Sequence, residues 1–514
     1  MRSGNARSED RDRLFRSASE NDNRNDLDAS FRSVLSSSQL VPREVFRTTP
    51  ARWYILFTLC WMGLIQNFIG NTWGPITEVM KKVYFWSDER VSLLSLWTPV
   101  FFVPGALLFP WLMAAANMRF VMLANSSLLA FSGIIKILSV TVIPMKYLIY
   151  TAHVTQIING LCGAAPFSSI MYISVNWFPL KEQLFVAGII ISCVNVGVAV
   201  PFILGPSLLP EPNSTDTSLV STLGLVTDTA EDIDYSTGLR WYLVIQGACM
   251  ILCLVFSVIY FPSRPRYAPT ASSVTARLDI KEGVKILLKR GNFWLAVLMF
   301  SLTTGTFNGY GLTLDTIVTK CGISQAEAGY IGFAALLSCV PANLIIGGLG
   351  GMFPRRKKIM TILFLVTGTS TMTVFVAQLE NWLPRNMTVV WVTVIVGVMC
   401  LTGAAPLFFD MSAESSHPVS EDLSSTVMVL GNQLMSLFFI ALIQIPHLVD
   451  EAHRDKLNYV LIGSFTLSVL FSTLYRPTTV REHMDSNSVT VDQLDYRSIQ
   501  QVENAGYSIE VSCD

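Results

Sequence analysis

From residue 53 the chain reads "WYILFTLCWMGLIQNFIG", an apolar run with few polar interruptions, and runs of this kind recur as far as residue 475. They fall near 53–73, 91–113, 119–142, 148–176, 183–205, 241–261, 293–315, 325–350, 356–378, 389–409, 424–446 and 457–475. A helix rising about 1.5 Å per residue needs about 20 residues to cross a hydrocarbon core roughly 30 Å thick, so each run predicts one membrane-spanning helix. Residues 1–50 are rich in Ser, Asn and Arg and hold no apolar run; they predict a disordered tail without a cleavable leader. The polar interval 262–292 divides the runs into two sets of six. The predicted fold class is an all-α membrane protein: twelve transmembrane helices in two six-helix bundles, 51–261 and 293–475, with a linker at 262–292 and a second tail at 476–514. Repeats of this kind characterise carriers whose solute site lies between the bundles near the membrane midplane.

Charge then orients the chain. The linker holds Arg264, Arg266, Arg277, Lys281, Lys285, Lys289 and Arg290, and the turn after the eighth run reads "PRRKK", Pro354 to Lys358. Basic loops stay on the cytoplasmic side, which puts both tails there and the acid-rich interval between runs five and six in a lumen or outside. The sequons at Asn213 and Asn386 fall in loops of that outer side and are candidate glycosylation sites, whereas the one at Asn125 falls within a run. In the linker, "IKEGVKILLKR" (280–290) spaces its apolar residues for a short amphipathic helix on the membrane face.

Composition excludes other classes. Of 514 residues, 51% are hydrophobic and 14% charged, more apolar surface than a soluble core can bury, so the lipid bilayer is the first partner. A formal net charge of −1 gives no basic field for nucleic acid. Most of the nine cysteines lie inside apolar runs, so neither a disulfide framework nor a metal site is indicated, and no cofactor is expected.

The polar interruptions carry the chemistry. In "IQNFIGNTWGPITE" (65–78), Gln66, Asn67, Gly70, Asn71 and Gly74 recur at steps of three and four, one stripe of a helix, and Gly74-Pro75 ends or kinks that helix beside Trp73. An amide facing lipid would cost several kcal/mol, so the stripe must line water or bond a neighbouring helix. Both readings stay open. Run four carries His153, Gln156, Asn159, Gly160 and Gly163 at the same spacing; Asn195 sits in run five, and Asn432 and Gln433 at similar depth in its counterpart, run eleven. Run seven, "GTFNGYGLTLD", contributes Asn308, Tyr310 and Asp315 in a glycine-loosened helix. The expected solute contacts are Asn71, Trp73, Gln156, Asn195, Asn308, Tyr310 and Gln433. Ionisable groups within or near a membrane are functional candidates, so Glu78, His153, Asp315 and Lys136 are candidates for proton coupling, with an ion pair to Lys136 as the structural alternative. Asp410 and Glu414, four residues apart, share a helix face and predict a cytoplasmic gate with Lys181 or with the basic turn 355–358, Arg355 and Arg356 being its gate candidates. Nothing nucleophilic or metal-binding accompanies these carboxylates, which argues against an enzyme.

With these residues in view, the chain resembles the major facilitator superfamily. Its loop motif survives in part in "WLMAAANMRFVML", which keeps Arg119, and in "GGLGGMFPRRKK", which keeps Gly347, Leu349, Arg355 and Arg356. Within it, "NTWGPI", "INGLCGAAPF", "GPSLLPEPNST", "ISQAEAGYIGF" and "PLFFDMSAESSHPVSED" resemble the feline leukaemia virus subgroup C receptor-related family, over about residues 50 to 475. Members carry haem, choline or ethanolamine, and one branch is associated with lysosomal membranes and proton-linked pyridoxine movement. The resemblance implies a lysosomal solute exporter, places ligand contacts at Asn195 and Gln433, and puts Gly70 where relatives carry a Trp of a cation cage. "YRSI", Tyr496 to Ile499, fits a tyrosine signal read by sorting adaptors at the tail. The expected function is proton-coupled export of a small solute, probed against a facilitative choline, ethanolamine or haem-type carrier of the plasma membrane and against a non-transporting solute sensor.

Overall fold

A computed structural model of the chain describes residues 48–209, 235–265, 269–270, 280–311, 325–384, 386–444 and 456–478. Among these there is no strand. The spans are α1 (Ala51–Gly70), α2 (Asp88–Ala115), α3 (Met118–Thr141), α4 (Leu148–Trp177), α5 (Leu180–Leu208) and α6 (Tyr235–Ile259) in the first half. The second half holds α7 (Gly291–Phe300, continued through Ser301–Gly305 and Thr306–Gly311), α8 (Gln325–Met352), α9 (Lys357–Leu379), α10 (Met387–Gly403 and Ala405–Ser416), α11 (Glu421–Gln444) and α12 (Lys456–Leu474). Among the described residues, eleven helices have the length and apolar character to cross a membrane; α7, which follows the linker helix Ile280–Lys289 through an 86° bend at Arg290, brings the count to twelve. Asn213, Asp315, Tyr496 and Ile499 lie outside the described residues.

Three of the described spans depart from a continuous α-helix. After Gly70, α1 passes into a short 3-10 turn at Gly74–Ile76, with proline in its first turn, and a six-residue helix Thr77–Lys82. The tenth span is two helices meeting at Ala404, with Pro406 near the start of the second. In α7, residues Ser301–Gly305 form a π-helical turn. Such a turn leaves carbonyls without regular i−4 partners, and the local sequence "SLTTG" supplies hydroxyls. Ser301 donates to the Val297 carbonyl at 2.7 Å, Thr303 to that of Met299 at 2.7 Å and Thr304 to that of Phe300 at 2.8 Å.

Within each half, small residues let helices close up, since lipid offers no hydrophobic drive for helix association. A Cβ at Gly133 of α3 would lie 2.7 Å from the Gly247 carbonyl of α6, so these two backbones touch. Between halves, the helices meet at the end that carries Lys181 and the 354–358 turn. There a Cβ at Gly188 of α5 would lie 2.6 Å from the Asn343 carbonyl of α8, and one at Gly347 of α8 2.8 Å from the Phe185 Cα. Leu184, Ile346 and Leu407 form a buried cluster joining α5, α8 and α10, and Ser192 reaches the Val340 carbonyl at 3.4 Å. Every residue of Ala405–Ser416 is buried. The two halves are therefore shut at this basic end.

Gly188→Val and Gly247→Val are expected to separate two kinds of contact. The second overpacks α3 against α6 and lowers stability by about 1–3 kcal/mol, read as an earlier thermal midpoint in detergent. The first wedges the halves apart, so cysteines introduced near Leu184 become reactive to a water-soluble maleimide while the midpoint holds.

Candidate functional site

The broken end of α1 organises the polar residues around it. A helix leaves its last carbonyls without intrahelical donors, and at membrane depth water does not replace them. Thr72, just past the helix, meets the Ile69 carbonyl with its amide at 3.2 Å and its hydroxyl at 2.7 Å, and two amides of α4 join: Gln156 Nε2 donates to the Ile69 carbonyl at 3.1 Å, and Asn159 Nδ2 to that of Gln66 at 3.1 Å. Both side chains are fully buried. Asn71 closes its own helix by donating to the Asn67 carbonyl at 3.0 Å, as expected of Asn at a helix C-cap. Gln156 is thus a clamp on helix 1, and the packing alternative holds for it rather than a solute contact.

Further clasps surround the break. Lys136, 2% exposed in α3, sets its Nζ 2.5 Å from Gln246 Oε1 of α6, and Thr72 Oγ1 lies 3.1 Å from the same oxygen. Tyr242 donates to the Thr72 carbonyl at 3.3 Å. Among the described residues Lys136 meets this amide and no carboxylate; Asp315 lies outside them. Glu78 instead pairs with Lys81 at 3.1 Å and Lys82 at 3.7 Å, one helical turn along its own short helix. Trp73 is 1% exposed with its ring 5.5 Å from that of Trp86, so in this conformation it is packed away from any open wall. His153 of α4 is half-buried and accepts at Nδ1 from Trp97 Nε1 of α2 at 2.8 Å. An imidazole that accepts at Nδ1 has no proton there, so double protonation requires this bond to break.

In the second half, direction along the helix separates neighbours in sequence. Gly309 backs onto Phe439 and Ser436 of α11, and Tyr310, a further 100° round, donates to Asn458 Oδ1 of α12 at 2.9 Å with only 2% of its surface exposed. Asn458 in turn donates to Glu380 at 2.9 Å. Tyr310 is therefore committed to its own half, whereas Asn308, 100° the other way, is exposed on the side turned from α12. Asn195 shares a face of α5 with Gly188 and Ser192, both of which touch α8, so it looks toward the second half; its Nδ2 is buried without a partner. Gln433 is half-buried and makes no hydrogen bond among the described residues, while its neighbour Asn432 bonds Thr304 in the π-helical turn. Counting from the basic ends of α5 and α11, Asn195 and Gln433 sit about 20 Å deep at 1.5 Å per residue.

The basic end carries a separate charged cluster. Lys357 of α9 pairs with Asp410 of α10 at 2.6 Å. Within the basic turn, the cation that meets Asp410 is Lys357: Arg355 is exposed, and Arg356 lies over the Phe353 ring, 5.9 Å from its centroid. Glu414 is buried one turn further along α10. Tyr475 donates to the Met411 carbonyl at 3.2 Å and meets Ser415 Oγ at 2.9 Å; burial pushes its phenol up to about 12, so it stays a donor at physiological pH. At the bend before α7, Arg290 donates to the carbonyls of Ser415 at 2.8 Å and His417 at 2.5 Å, capping the C-terminus of α10. Burial lowers the Arg290 guanidinium from its ordinary value.

Sequence reasoning passed over Trp97 and Asn343. Asn343 is fully buried in α8 opposite Gly188, with neither amide atom partnered. A lone amide inside "CVPANLIIGG" was the visible signal for it. Asn386, the sequon outside the membrane that is described, is exposed at the start of α10 and accepts from the Thr388 amide at 3.0 Å.

A family model described as Major Facilitator Superfamily matches residues 137–443. The chain is 28% identical over 442 residues to the "Solute carrier family 49 member 4 homolog" of Xenopus tropicalis, covering 84% of this chain and 93% of that protein. It is 22% identical over 456 residues to the human "Choline/ethanolamine transporter FLVCR2", covering 87% and 81%. Among solved structures it superposes on a single-residue variant of the E. coli fucose:proton symporter, FucP, with a TM-score of 0.58 at 11% identity, covering 83% of this chain and all of that one. On the human organic anion transporter MFSD10 the TM-score is 0.55 at 14% identity, covering 82% and 100%.

Gln156→Leu removes one donor from the Ile69 carbonyl, leaving those of Thr72, and is expected to lower stability by about 0.5–1.5 kcal/mol. Gln433→Ala removes no bond and should leave the thermal midpoint in detergent within about 0.5 kcal/mol of wild type. An equal loss at both positions would mean that Gln433, too, is a packing group.

Proposed function

The chain belongs to the Major Facilitator Superfamily, a multi-pass transporter of small solutes and not an enzyme, and on that footing we propose that it exports a pyridoxine-like solute from the lysosome together with protons moving down their gradient. The observation that carries this reading is the set of amides that the fold leaves unspent. Asn195 from the first half and Asn308 and Gln433 from the second offer donors and acceptors to a hydroxylated ring, with the open oxygen of Asn71 near the break in α1. Relatives named as choline/ethanolamine transporters support a second reading, a facilitative carrier of a quaternary or primary amine. A quaternary ammonium makes no use of hydrogen-bond acceptors and is held by ring faces. Of the aromatic candidates here, Trp73 is packed on Trp86 and Tyr310 is bonded to Asn458, which favours the neutral, hydrogen-bonding solute.

Proton coupling is assigned to His153. Taking a second proton releases Trp97 of α2, so protonation changes a contact between two helices of the first half. Alternating access then requires the Leu184, Ile346 and Leu407 cluster and the Gly188 contact to part, opening toward the side that the basic turns place in the cytoplasm. Lysosomal residence, sorting through Tyr496 and Ile499, and glycosylation at Asn213 and Asn386 belong to this same proposal.

Counterflow into proteoliposomes, with labelled pyridoxine and labelled choline at about pH 5 and about pH 7.5 on the trans side, distinguishes the readings. Pyridoxine flux should rise with the proton gradient, Gln433→Ala should abolish it, and His153→Gln should flatten its pH dependence while sparing exchange. Choline exchange indifferent to pH would replace this proposal with the amine carrier, and binding without any exchange would make the protein a sensor.

A further inference from the structure

The linker helix Ile280–Lys289 takes no part in the site described above, and its surface divides into three lengthwise strips at 100° per residue. Gly283 and Leu287 are buried, Gly283 against Val419 and Leu423 at the start of α11. Val284 and Leu288 form a second strip, 38% and 64% exposed. Lys281, Lys285 and Lys289, each one residue away from that pattern and one turn from the next, form a third, exposed strip, with Glu282 beyond them. The 86° bend into α7 lays this helix nearly at right angles to the span that follows, along the membrane plane. Arg290 fixes the bend to the end of α10 through the Ser415 and His417 carbonyls.

We propose that the paired strips of this helix are a docking surface for anionic phospholipids of the cytoplasmic leaflet, the lysines on headgroup phosphates and Val284 and Leu288 among the upper acyl carbons. The leaflet assignment rests on the orientation adopted under the proposed function; the binding surface itself does not. A soluble polyanion would satisfy the three ammonium groups but leave both apolar side chains in water, whereas a lipid satisfies both strips at once. Because Gly283 and Arg290 tie the helix to α10 and α11, a lipid held here bears on the basic end of the second half, where the two halves are shut.

The test uses the full-length protein in detergent, titrated with fluorescent phosphatidylserine and, separately, phosphatidylcholine. Wild type should prefer phosphatidylserine. Combining Lys281→Gln, Lys285→Gln and Lys289→Gln should weaken that binding about a hundredfold, and Val284→Ser with Leu288→Ser should weaken it without altering displacement by inositol hexakisphosphate. Both variants change exposed side chains, and an unchanged thermal midpoint certifies their folding. Phosphatidylserine binding equal to wild type in the lysine variant overturns the proposal, as does an apolar variant that binds lipid undiminished. Protease protection of an epitope placed at residue 270 reads the orientation independently: a lumenal linker with intact lipid binding would refute the leaflet assignment and the direction of export, but not the surface.

Discussion

The constraint on which the rest of the structure depends is the bracing of the end of α1, whose last carbonyls need donors from beyond the helix where lipid offers none. Thr72 supplies the Ile69 carbonyl from the exit itself, and a second helix adds to it. The polar face of α4 answers this need through Gln156 and Asn159, and in doing so fixes where α1 ends and how its exit turns. On the other flank Lys136, Gln246, Thr72 and Tyr242 hold the first residues of that exit. The break at Gly74-Pro75 is thus a braced feature, and Trp73 lies where the braces put it, against Trp86.

Once those needs are met, the remaining amides differ in kind from the spent ones. Gln156, Asn159 and Asn432 serve neighbouring helices, and a carrier gains from them only a rigid frame. Asn195, Asn308 and Gln433 have no such employment, and an amide withdrawn from water without a partner costs about 1–3 kcal/mol unless a solute or solvent supplies one. Asn343 shows the same imbalance inside the closed contact between α5 and α8. It raises the free energy of the shut arrangement relative to one in which water reaches that amide, and so keeps the closed end from being too stable to part.

Much of this was legible in the sequence. Helix count, the break after Gly70, the basic turn facing Asp410 and the amphipathic linker all follow from local composition and spacing, because membrane insertion leaves the chain few alternatives. Periodicity also identified the amide-bearing faces, but it tells which residues share a face and not which neighbour that face meets. Tyr310 and Asn308 stand two apart in one run, yet one is bonded to α12 and the other is exposed. For the same reason Gln156 and Gln433 looked alike. The basic turn 355–358 pointed to a cation for Asp410, while the choice of Lys357 within it depends on the angle at which α9 leaves the turn. The π-helical turn in α7 and the split of the tenth span left no periodic trace, being settled by the helices packed against them.

The wide turn at Ser301–Gly305 has a consequence for how this lineage can vary. It holds one residue more than a regular turn, and three hydroxyls accommodate the surplus. Deleting one residue there would remove the surplus together with the bulge and return α7 to regular i−4 bonding, with Asn308 and Tyr310 keeping their faces. The wide turn is thus the place where the seventh helix can lose a residue without turning its polar side chains toward other neighbours.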